Sequence, residues 1–103
     1  MITATFAITD DRLSLDLSGH AGYAEKGRDI LCSAASILAF TLAESVKNGN
    51  ADIREGTAHI DCDKTDSNWQ AFRVIANGYK LLATNYPDYC SYESNGALGI
   101  VEI

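Results

Sequence analysis

Two side chains in this 103-residue chain have types and spacing suited to nucleophilic chemistry, His20 and Cys32. They lie within GHAGYAEKGRDILCSAAS, which also holds Asp29, Ser36 and the loop glycines Gly22 and Gly27. A thiol attacks a carbonyl usefully only as its thiolate, and a helix start or a neighbouring imidazole favours that form. Cys32 has access to both, provided Asp29 caps a helix that begins just after it. His20 is then the expected general base. The loop between them is long enough to fold the ring back onto the sulfur, with Gly22 and Gly27 as its hinges. Free first-turn N–H groups of the helix are expected to receive an oxyanion. Ser36, one turn beyond Cys32 on the same face, is expected either to hydrogen-bond near the sulfur or to line a substrate groove. Asp29 is open to two readings, an orienting partner of His20 or simply the helix cap.

The elements that must position these groups follow from periodicity. ITATFAIT alternates Ile2, Ala4, Phe6 and Ile8 against threonines and Ala7, which predicts a strand. RLSLDLSG alternates Leu13, Leu15 and Leu17 with polar residues, and Asp10-Asp11 supplies the turn between the two. DILCSAASILAFTLAESVKNG predicts a helix ending near Lys47 and Asn48-Gly49, with a stripe of Ile30, Ala34, Ile37, Leu38 and Leu42. Its other side is apolar as well, through Ala39, Phe40 and Ala43, so a second buried face is expected against another subunit or a substrate. ADIREGTAHIDCD predicts a hairpin around Glu55-Gly56, with Ala58, Ile60 and Cys62 facing the core and His59 exposed. A second helix is predicted over residues 67–86, built on Trp69, Phe72, Ile75, Ala76, Tyr79, Leu82 and Ala83 and stopped by Pro87. The tail carries Asn95-Gly96, a hairpin signal. The expected class is α+β: a two-layer fold, ββ-α-ββ-α plus a C-terminal strand or hairpin, with an antiparallel sheet and two helices on one face.

Length suits one domain spanning residues 1–103. The formal net charge is −6, and the eight basic residues form no stripe, so direct nucleic-acid binding is not expected. No apolar run approaches a bilayer span, and the N-terminus lacks a signal-like pattern, so a cytoplasmic location without membrane association is expected. Three cysteines without metal-type spacing argue against a disulfide framework, and no cofactor is expected. Cys62 falls in phase with core residues, and Cys90 reads as structural. Metal binding by His20 and Cys32 would need two more ligands, and none is suitably spaced.

Gly19-His20-Ala21, Gly27-Arg28-Asp29-Ile30, Leu31-Cys32 and Ser36 together resemble the motif of the bacterial ribosomal-processing cysteine protease family, Prp. That resemblance implies a catalytic Cys32 and His20. It also implies a homodimer, a mobile loop over the site, and a ribosomal protein precursor as peptide substrate. In that family the cleaved segment is the short N-terminal extension of large-subunit ribosomal protein twenty-seven. Net acidity suits such a basic partner. Ser33 departs from the small apolar residue usual there, and the Asn95-Gly96 hairpin would extend the minimal layout. Two other readings remain: a non-catalytic, ribosome-associated dimer that binds a basic peptide in the same groove, or a structural module with an inert Cys32.

Overall fold

The computed structural model describes residues 1–25 and 28–96. Seven elements follow one another: β1 (Ile2–Ile8), β2 (Arg12–Ser18), α1 (Ile30–Ser45), β3 (Asn50–Arg54), β4 (Thr57–Asp63), α2 (Asp66–Asn85) and β5 (Cys90–Gly96). Period-two patterning puts Ile2, Ala4, Phe6 and Ile8 of β1 on the same buried face as Leu13, Leu15, Ala58, Ile60 and Cys62. Both helices cover that face. Phe6 meets the rings of Phe72 and Tyr79 on α2 with centroids 6.0 Å apart in each case, near-perpendicular and tilted respectively. The opposite face of the sheet presents Ser14, Asp16, Thr57 and His59.

The strand order is β3-β4-β2-β1-β5. β1–β2, β2–β4 and β3–β4 pair antiparallel, as tight turns and alternation predict. β5 pairs parallel with β1, Ile2 opposite Cys90 and Ile8 opposite Gly96, so the sheet is mixed at that edge. The cause is topological. α2 carries the chain from β4 over the sheet to the far edge, and a helical crossover returns the next strand in the same direction. β5 reaches Gly96; the second arm of the expected C-terminal hairpin lies outside the described residues.

α1 is capped by Asp29 and ends one residue before Val46, with Asn48 in the left-handed region at φ 56°. It buries Leu31, Ala35, Ala39 and Leu42. Ile30 and Ile37, expected on the core stripe, are exposed instead, together with Phe40. A helix apolar all round has no single periodic face, and here small alanines were selected for close packing against the sheet and α2. Of the residues expected on the second apolar face, Ala39 is in the core and Ala43 is partly buried, so the exposed apolar residues of α1 are Ile30, Ile37 and Phe40. α2 is capped by Thr65, whose side chain accepts from the Asn68 N–H, and it buries Phe72, Ile75, Ala76 and Tyr79. Buried Asn68 is satisfied: it accepts from the Lys47 N–H at 2.9 Å and donates to the carbonyls of Lys47 (3.0 Å) and Asp63 (2.9 Å). It ties the end of α1 to the start of α2. No helix among the described residues is long and apolar enough to cross a membrane.

Candidate active site

Three segments meet at the β3/β4 end of the helical layer: the loop after β2, the first turn of α1 and the β3–β4 turn. Between them lies a cavity of about 760 Å³. His20, Gly22, Asp29, Cys32 and Ser36 all line it, so the fold gathers five of the six residues singled out by type and spacing. Gly27 lies outside the described residues. Apolar side chains of Ile2, Leu17, Phe40 and Ile53 supply much of the remaining wall.

Asp29 organises the site. It is 6% exposed, and its carboxylate accepts four backbone hydrogen bonds. Oδ1 takes the N–H groups of Leu31 (3.0 Å) and Cys32 (3.1 Å); Oδ2 takes those of Tyr23 (3.0 Å) and Ala24 (3.4 Å). Burial alone would raise its pKa. The donors from Cys32, Ala24, Tyr23 and Leu31 together outweigh that cost and hold it below the ordinary carboxylate value. Of the two readings of Asp29, the hydrogen bonds match the cap, extended into a strap. One oxygen closes the helix start and the other binds the loop that follows His20. The expectation that first-turn amides receive an oxyanion is corrected in part. Those of Leu31 and Cys32 are occupied by Asp29, and that of Ser33 bonds the Asp29 carbonyl at 3.1 Å.

His20 follows Gly19 at the end of β2. Gly19 has φ +91°, and a Cβ there would run into the Met1 carbonyl, so only glycine fits beneath the histidine. Its N–H donates to the Gly56 carbonyl at 2.9 Å. Gly56, at φ +81° in the β3–β4 turn, faces the imidazole: a Cβ at that position would stand 3.2 Å from Nε2. The ring therefore rests against bare backbone. The role of Gly56 was invisible in the sequence, where it signalled only a turn.

Cys32 is partly buried at the third position of α1, and its sulfur accepts a hydrogen bond from the Ala21 N–H at 3.4 Å. The loop carrying that donor is anchored again beyond it. Tyr23 packs edge-on against Tyr89 (5.2 Å between centroids) and Tyr86 (6.1 Å). The other cysteines are internal. Burial pushes Cys62 up to about 11, and it raises Cys90 as well, so neither thiol is activated. His59 sits on the open face of the sheet, its ring nitrogens 2.6 Å from Asp16 and 2.8 Å from Asp61, away from this cavity. Among the described residues no cluster of His, Cys, Asp or Glu could hold a metal ion.

A small α+β domain with a cysteine at a helix start and a histidine sharing its cleft has the layout of a thiol hydrolase. Residues 1–91 match the family described as "Cysteine protease Prp", and the chain belongs to that family. It is a cysteine protease. Its fold is similar to that of the S. aureus ribosomal processing protease Prp in complex with a covalently linked product peptide. That comparison gives a TM-score of 0.79 and 22% identity, covering 92% of this chain and 100% of that one. The same S. aureus protease with a substrate peptide matches at TM-score 0.67 and 21% identity, covering 92% and 98%. SMU.848 from Streptococcus mutans matches at TM-score 0.68 and 27% identity, covering 91% and 96%. No curated protein sequence matches the chain.

Proposed function

We propose that this protein is a ribosomal-processing endopeptidase in which Cys32 is the nucleophile and His20 the general base. The observation that carries the reading is the joint lining of one cleft by the His20 ring and the Cys32 side chain, in a chain of the cysteine protease Prp family. His20 takes the thiol proton. Sγ bonds to the scissile carbonyl carbon, and the carbonyl π pair moves onto oxygen. Collapse restores the C=O and breaks the C–N bond, and the amine leaves with the proton from His20. Water then releases the acyl group from sulfur, and the thiol recovers its proton. Asp29 positions the helix start and the loop rather than the imidazole. Ser36 and the apolar wall receive the peptide, and the loop beyond Ala21 closes over it, with Gly22 and Gly27 as its hinges.

The proposed substrate is the N-terminal extension of large-subunit ribosomal protein twenty-seven. Two features support it: the solved structures of S. aureus Prp with product and substrate peptides, and a net charge of −6 that favours a basic partner. The enzyme works in the cytoplasm as a homodimer, through the apolar outer face of α1 and α2 where Ile37 and Leu81 are exposed. It requires neither metal nor cofactor and does not itself bind nucleic acid. Incubation with the host's own unprocessed ribosomal protein tests the reading. Wild type is expected to shorten it and Cys32→Ala to leave it intact. Binding without cleavage by the wild type would assign the protein to peptide binding instead, and cleavage by both would remove Cys32 from the mechanism.

A further inference from the structure

We infer that the backbone N–H of Ala21 is the catalytic oxyanion donor of this site, in place of the first-turn amides of α1. The inference rests on Cys32 being the nucleophile. Negative charge that develops on the carbonyl oxygen during attack needs a fixed donor close to the sulfur. The helix start is poorly placed to give one. Its Leu31 and Cys32 N–H groups already bond Asp29 Oδ1, and that carboxylate is held ionised, which offsets the positive end of the helix dipole.

The Ala21 N–H has the required placement. It points at Cys32 Sγ from 3.4 Å in the resting site. It is also held in place by its surroundings. The Ala21 side chain is buried in the core, His20 precedes it, and two residues later the Tyr23 N–H is held by Asp29 Oδ2 at 3.0 Å. Base and donor are thus consecutive on the chain, and one carboxylate positions both the loop and the helix. As the C–S bond forms and the π pair moves to oxygen, the Ala21 hydrogen bond passes from sulfur to that oxygen. It returns when the C–N bond breaks and the C=O is restored. No proton leaves the amide.

Joining synthetic residues 1–31 to a segment that begins at Cys32 gives the full chain and allows L-lactic acid in place of Ala21. This exchanges the N–H for an ester oxygen. With the N-terminal peptide of the host ribosomal protein as substrate, kcat is expected to fall about 100- to 1,000-fold, with KM within about threefold of the assembled wild type. A kcat within threefold of wild type overturns the inference. A second measurement needs no altered backbone. In uniformly ¹⁵N-labelled wild type, a substrate-based peptide aldehyde that adds to Cys32 should move the Ala21 amide proton strongly downfield. An unmoved Ala21 resonance alongside shifted Leu31 and Cys32 amides overturns the inference too. Cys32→Ala separates the two levels: retained turnover removes the nucleophile reading itself, whereas lost turnover with an unaffected ester chain removes only the role of Ala21.

Discussion

Replacing Asp29 with asparagine separates a strap from a catalytic partner. Asparagine keeps one accepting oxygen, enough for the Leu31 and Cys32 N–H groups, but turns an NH₂ toward Tyr23 and Ala24, where Oδ2 now accepts at 3.0 and 3.4 Å. A hydrogen bond to a charged acceptor contributes about 1.5–3 kcal/mol, and the loop amides can recover water at the cleft, so the loss should be about 2–4 kcal/mol in all. For a domain of this size that is a fall in Tm on the order of 10–20 °C. The pH dependence carries a second signature. Because the folded carboxyl titrates below its ordinary value, its contribution is fully present above about pH 4 and lost as pH falls through the folded pKa. The acid limb of the stability curve should therefore flatten in Asp29→Asn, and the two proteins should converge at low pH. Urea unfolding from pH 2.5 to 7.5 measures both effects. Equal stability of the two proteins at pH 7, or an unchanged stability with a displaced pH–rate profile, would refute the strap and make Asp29 an orienting partner of His20.

Gly56→Ala places a methyl 3.2 Å from His20 Nε2 at φ +81°, so we expect about 1–2 kcal/mol of backbone destabilisation and a lower kcat at little change in KM, read by urea unfolding and peptide cleavage. His59 is held above its ordinary pKa by its hydrogen bond to Asp16, then by Asp61, against some desolvation. Its ion pairs therefore stabilise the fold below about pH 6.5 and are lost as pH rises through the folded value. The ring is 46% exposed, so the effect is small and screened: the urea midpoint of wild type should fall slightly more than that of His59→Gln as pH rises, and less so at high salt. Tyr79→Phe removes the 2.7 Å bond to the Ala35 carbonyl between the helices and should cost about 1–2 kcal/mol in urea unfolding without altering KM.

How far the sequence carried these conclusions depends on which interactions are local. β1 and β2 were legible because one buried and one open face force alternation, as Phe6 and Leu15 show against Thr5 and Ser14. α2 was legible because its stripe is bounded by polar residues. The existence of α1 was equally clear, but its register was not. Its apolar residues surround the axis, and only tertiary packing selects Leu31, Ala35 and Ala39 over Ile30 and Ile37. Nothing local tells β5 to run parallel to β1, since edge and direction follow from where α2 crosses the sheet. At the site, His20 and Cys32 stood out through an ordered motif that places the thiol twelve positions after the ring. The Asp29 carboxylate had two readings until its four backbone donors were located. Gly56 and the Ala21 N–H could not be found at all: one depends on a contact across 36 residues, and the other is a backbone group that carries no side-chain signal.

The central claim is covalent catalysis by Cys32 with His20 as its base. Wild-type enzyme should be mixed with the host ribosomal protein's N-terminal peptide, quenched in acid during turnover, and mapped by mass spectrometry. The account predicts a thioester of the N-terminal fragment on Cys32, absent in His20→Ala under the same conditions. Cleavage with no adduct on Cys32, or an adduct on Cys62 or Cys90, would contradict it.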